Sequence, residues 1–131
     1  MQQRMIVAAA LCALSVAVHA QDAARGKRLY EECAACHATE RNAPPGVGPA
    51  LHGVIGRKAA EVADFRYSPA MKRSTIVWNE RELDAYIADP QKKVPANRMP
   101  YSGMADARDR ADLIAYLKLN APLGFGSGVC G

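Results

Sequence analysis

The feature that most constrains this chain is a five-residue run, Cys33-Ala34-Ala35-Cys36-His37. Two thiols three positions apart, on a helical turn, can reach the same partner. A C-x-x-C-H pattern suits covalent haem attachment: each thiol adds across one vinyl group to form a thioether, and neutral imidazole is a good iron ligand. Other chemistries each lack a part. Zinc needs four ligands, yet the chain has no second C-x-x-C and no H-x-x-x-H, so His52 and Cys130 would have to be recruited. A thioredoxin-like redox pair needs a βαβ setting, which the flanking sequence does not offer. A disulfide between Cys33 and Cys36 fits an oxidising compartment but leaves the long loops of this chain with nothing to wrap. The expectation is haem c, one per chain, held covalently by Cys33 and Cys36 with His37 as an iron ligand.

The rest of the chain agrees with a protein built around a cofactor. Its 131 residues suggest one domain. Arg4, the apolar run Met5–Val18 broken only by Ser15, and Val18-His19-Ala20 read as a secretory signal cleaved after Ala20. The run is too short for a membrane span of ~20 apolar residues. Cys12 lies in it and lacks the leucine three positions upstream that a lipoprotein signal shows. The expected organisation is a signal peptide over 1–20, a folded domain over 21–121 and a flexible tail over 122–131, with export to the periplasm.

Within the domain, the pattern predicts a first helix over Ala23–Cys33, with Leu29 and Tyr30 facing a core. Prolines and glycines exclude regular helix from Thr39 to Gly56. Ser68-Pro69 opens a short helix to about Arg73. Asn79 caps one that runs to Ala88 and is stopped by Pro90; Asp106 caps a last helix to about Asn120. Pro95 to Gly103 is a second irregular loop. Long structureless loops in a compact domain need a purpose, and a central ligand supplies one. Aromatics at 6% leave interior room for it.

Charge narrows the function. A net +4 without a basic stripe interleaved with exposed aromatics does not describe a nucleic-acid binder. Three readings then compete: a diffusible one-electron carrier, a haem enzyme or sensor that opens one axial side, and a subunit tethered by its tail. No distal histidine or arginine is clearly placed for peroxide chemistry, which favours the carrier.

Methionine is the second axial candidate, because a thioether is soft and raises the potential. Met99 and Met104 both occupy the last loop region. Met99 sits in the irregular segment and is preferred, whereas Met104, just before the last helix, is expected to pack. Met71 and His52 are more distant alternatives, and His52 reads as a hydrogen-bonder between loops.

Further segments extend the pattern: Gly26, Gly48-Pro49-Ala50-Leu51-His52-Gly53, Gly56-Arg57-Lys58, Phe65-Arg66-Tyr67, Trp78, Leu83-Asp84-Ala85-Tyr86, Asp89-Pro90, Val94-Pro95, Arg98-Met99 and Asp112-Leu113-Ile114-Ala115-Tyr116-Leu117. In order and spacing, from about Asp22 to Asn120, the chain resembles the class I c-type cytochromes, the group of mitochondrial cytochrome c and bacterial cytochrome c2. The resemblance implies an all-α monohaem cytochrome c fold, its N- and C-terminal helices crossing and its loops wrapped around a buried haem. Gly26 would allow close approach to Tyr116. His37 and Met99 would be the axial ligands, and the Pro49 carbonyl would take the other ring N–H of His37. Arg57, Tyr67 and Trp78 would meet the haem propionates, and the Tyr86 hydroxyl would lie near the methionine sulfur.

The resemblance also implies a carrier shuttling electrons between redox partners: membrane respiratory or photosynthetic complexes, or a periplasmic dehydrogenase. The chain departs from the family in its docking face. Glu31-Glu32 precede Cys33, and Met104-Ala105-Asp106-Ala107 replaces a lysine run, leaving Lys92, Lys93 and Arg98. The family's Pro-Gly-Thr-Lys-Met becomes Pro95-Ala96-Asn97-Arg98-Met99, and Tyr101 stands where phenylalanine is usual. Cys130 is the odd cysteine, through which any covalent dimer is expected to run.

Overall fold

The computed structural model describes residues 20–120. The calls on residues 1–19 and 121–131, among them Cys12, most of the signal segment, Cys130 and the tail, lie outside the described residues. The described chain is helical: α1 (Ala23–Leu29), α2 (Glu31–Ala34), α3 (Pro69–Arg73), α4 (Glu80–Ala88), α5 (Pro90–Lys93) and α6 (Ala107–Leu119). Its only β feature among the described residues is one isolated antiparallel bridge, Lys58 to Val77.

Side-chain caps start these helices as the sequence suggests. Ser68 accepts from the Met71 N–H, Asn79 from Glu82 and Asp106 from Asp109, each satisfying a donor that the first turn leaves unpaired. Two expectations need correction. The first helix is not one run over Ala23–Cys33: it divides at Tyr30, whose carbonyl accepts both from Cys33 N–H at 2.8 Å and from Ala34 N–H at 2.9 Å. The backbone stays right-handed there, so the division is a local tightening of the helix. Pro90 ends α4 but also opens α5, because its fixed φ suits a first helical position and the Asp89 carboxylate caps Lys92 N–H.

Helix α6 is the central pillar. Leu113, Ile114 and Leu117 are buried along it and join Tyr30, Val54, Met71, Trp78, Leu83, Val94 and Met104 in one core. Helix α1 crosses α6 at Gly26. A Cβ there would lie 1.9 Å from the Asp112 carbonyl oxygen and 3.0 Å from Tyr116 Cβ. The tightest contact that demands glycine is thus backbone against backbone, one turn before the Tyr116 that the family resemblance implied, which a Cβ would also crowd. The crossing is tied by the Asp112 carboxylate, 2% exposed, which accepts from Asp22 N–H at 2.7 Å and from Arg25 Nη1 at 2.7 Å. The same guanidinium also pairs with Asp109. Helix α4 is held to α6 by Arg110 on Asp84 at 2.7 Å and by Lys118 on Glu80. These contacts leave the loops between α2 and α3, and between α5 and α6, to close around the space in front of α6.

Candidate haem site

The helical bonding of α2 continues past its last residue. Cys36 N–H and His37 N–H both donate to the Cys33 carbonyl, at 3.0 and 2.9 Å, so both thiols and the imidazole come off one turn. Neither cysteine is in a disulfide, and burial pushes the Cys33 thiol up to about 11. Tyr30 anchors the end of the turn, its hydroxyl donating to the His37 carbonyl.

The loop that follows is knitted onto this turn by Gly48 N–H to the Cys36 carbonyl at 2.8 Å and by Leu51 N–H to the Ala38 carbonyl at 2.7 Å. That brings the Pro49 carbonyl within 2.7 Å of His37 Nδ1. A carbonyl only accepts, so Nδ1 carries the proton and Nε2 keeps its lone pair. Burial lowers the His37 pKa, against the opposing pull of the Pro49 bond, and so favours the neutral ring that a metal ligand requires.

His37, Cys33 and Cys36 open onto a cavity of about 470 Å³, within the ~300–1,000 Å³ span of cofactor pockets. Pro49, Arg57, Tyr67, Trp78, Tyr86 and Met99 line the same cavity, so every site residue singled out from the sequence is gathered at one place. Met99 presents its sulfur to the Tyr86 hydroxyl at 4.0 Å, and burial raises that hydroxyl to about 12. Trp78 is buried, its ring 5.0 Å from that of Tyr86. The Tyr67 hydroxyl accepts from Val62 N–H at 3.3 Å. Met71 also lines the cavity. Met104 is buried in the core, and His52 Nδ1 meets the Thr39 carbonyl at 3.3 Å; neither lines the cavity.

Three features test whether this space suits a haem. Arg57 lines it with a guanidinium that donates to the His52 carbonyl at 3.2 Å and makes no ion pair among the described residues. Burial lowers its pKa. A cation in such a place suits a ligand that brings its own carboxylates. Gly48 is the second feature: a Cβ there would stand 2.5 Å from His37 Cε1, so the glycine makes the cradle for the ring. The third is an apolar wall that includes Leu83, Leu113 and Leu117. These features fit a large, flat, mostly apolar group with acidic edges.

The family described as Cytochrome c matches residues 23–120. The chain belongs to the cytochrome c family. Among relatives, it is 40% identical over 112 residues to cytochrome c2 of Rhodomicrobium vannielii, covering 86% of this chain and 90% of that protein. It is 41% identical over 99 residues to cytochrome c2 of Blastochloris viridis, covering 76% and 78%. The structure of cytochrome cH from Methylobacterium extorquens is similar with a TM-score of 0.70 at 44% identity, covering 75% of this chain and 98% of that one. As a member of the cytochrome c family, the chain carries covalently attached haem c and serves as a monohaem electron carrier, not an enzyme.

Sequence reasoning did not find Gly48 as the cradle of His37, the Tyr30 hydroxyl on the His37 carbonyl, or the link from the Tyr101 hydroxyl to Glu32 Oε2 at 3.0 Å. The cue for Gly48 was its place directly before Pro49; the other two contacts have no local signature.

Proposed function

We propose that Cys33 and Cys36 form the two thioethers to haem, and that His37 and Met99 are the axial ligands. The observation that carries this reading is one cavity bordered by both thiols, by an imidazole whose Nδ1 is already engaged, and by a thioether. When bound, the haem iron supplies one-electron oxidation and reduction. The chain's own residues hold and insulate it. Pro49 fixes the tautomer and orientation of His37. Arg57, Tyr67 and Trp78 would receive the propionates, and the Tyr86 hydroxyl would steady the Met99 sulfur. With His37 and Met99 both holding the iron, no coordination site would be left for a substrate, which supports electron transfer as the role of the haem.

The protein works in the periplasm after removal of residues 1–20, with its folded domain over 21–121. It serves redox partners there: membrane respiratory or photosynthetic complexes, or a periplasmic dehydrogenase. Exposed Lys92 and Arg98, with half-buried Lys93, form the positive part of the docking surface. A covalent dimer, where one forms, runs through Cys130.

The test compares Met99→Ala with Met104→Ala. Met99→Ala is expected to remove the sulfur-to-iron charge-transfer band of the ferric protein and to lower its reduction potential. Met104→Ala is expected to keep the band and lose about 2–3 kcal/mol of stability, as a buried methionine does on truncation. If Met104→Ala alone removed the band, the two methionines would be exchanged.

A further inference from the structure

We infer that Asn97 is the positioning residue that holds Met99 at the iron. The inference rests on the reading of Met99 as axial ligand. Asn97 is only 8% exposed, although its neighbours Pro95, Ala96 and Arg98 are exposed. Its carboxamide is engaged on both sides. Nδ2 donates to the Pro90 carbonyl at 2.8 Å and to the Val94 carbonyl at 3.0 Å, while Oδ1 accepts from the Met99 N–H at 2.8 Å. Its main chain adds two bonds: Asn97 N–H donates to the Val94 carbonyl at 3.1 Å, and its carbonyl accepts from Gln91 Nε2 at 3.2 Å. One side chain therefore joins the carbonyls of Pro90, at the start of α5, and Val94, just past its end, to the backbone of Met99.

The chemistry is particular to an amide. A carboxamide supplies two N–H donors and a carbonyl acceptor together. A threonine hydroxyl, which the resembling family places here, supplies a single donor. Ala96 directly precedes it with φ of 65°, a conformation that a residue with a side chain avoids unless neighbours hold it. The bonds from Asn97 to α5 are the hold available at this point. Two residues on, the held Met99 amide sets the point from which the side chain leaves the backbone, and the Tyr86 hydroxyl meets its sulfur. Asn97 thus keeps the segment closed, and its loss gives an external ligand access to the Met99 side of the iron.

The experiment adds imidazole to the ferric holoprotein and follows its rate of capture, together with the sulfur-to-iron charge-transfer band and the thermal midpoint. Asn97→Ala removes all three side-chain bonds. Asn97→Asp keeps the shape and the acceptor for Met99 N–H but removes both donors to α5, and it carries the comparison if Asn97→Ala fails to retain haem. Asp112→Asn, in the α1–α6 crossing, reports general destabilisation. Both Asn97 variants are expected to capture imidazole about tenfold faster or more, from lost bonds to buried acceptors. Asp112→Asn is expected to lower the midpoint without that acceleration. Capture at the wild-type rate in the Asn97 variants overturns the proposal, as does equal acceleration in Asp112→Asn. A Met99→Ala protein that retained the charge-transfer band would instead overturn the ligand reading beneath it.

Discussion

At the scale of single residues, the His37 side of the cavity depends on an absent side chain. Gly48 leaves room for the His37 ring, and a Cβ would meet that ring at 2.5 Å. Gly48→Ala must therefore push the imidazole or stretch its bond to Pro49. The expected outcome is a loss of about 2 kcal/mol, read by denaturant unfolding of the ferric holoprotein, with a smaller share of chains carrying covalent haem. Unchanged unfolding and full haem content would show that the ring has slack. Legibility at this scale follows distance along the chain. Cys33, Cys36 and His37 could be read because their geometry is set within one turn. Met99 was argued from sulfur chemistry, and its link to Tyr86 came only from the family resemblance, since no period relates two loops closing over one cavity. Asn97 escaped because an asparagine in a proline-rich loop reads as turn chemistry, and only the folded α5 shows what its amide bonds to.

Among the elements, the crossing of α1 and α6 has its own electrostatics. The Asp112 carboxyl is held below the usual carboxylate range first by the Asp22 N–H and then by Arg25. A depressed folded-state pKa means that the ionised form stabilises the fold. That contribution is whole above the unfolded value near 3.9 and is lost as pH falls toward the folded value. Asp112→Asn is expected to cost about 2 kcal/mol near neutrality by weakening the bond to a charged partner, and to flatten the fall in stability below about pH 4. Thermal midpoints across that range check both parts, and an unchanged acid limb would remove Asp112 from the account. Caps at Ser68, Asn79 and Asp106 and stops at proline made most helix boundaries readable, because these signals act within a turn or two. The division at Tyr30 and the short α5 were not readable. The first serves a contact with His37, and in the second one proline both ends a helix and begins another.

For the whole molecule, exposed charge decides how a partner is met. Lys93 is partly committed, its ammonium 2.6 Å from Glu82, whereas Lys92 and Arg98 are exposed. Glu32, which lines the cavity, is engaged by the Tyr101 hydroxyl. Reversing Lys92 and Arg98 to glutamate is expected to slow association with an acidic redox partner about tenfold at low salt and to flatten the salt dependence, since exposed charges act mainly on encounter. Stopped-flow electron transfer over a salt series measures this; identical rates would assign docking to the apolar edge. The fold was legible through the order of motifs over nearly the whole domain, whereas the partner was not, because a docking face is a pattern of exposed charge that folding leaves free. The α1–α6 crossing also has a consequence in time. Asp22 and Arg25 find their partner Asp112 only 90 and 87 positions later. A chain delivered from its N-terminus would expose Cys33, Cys36 and His37 well before α6 exists to close over them. The clasp that ties the two helices together is therefore made late, after the residues proposed to take the haem are already within reach.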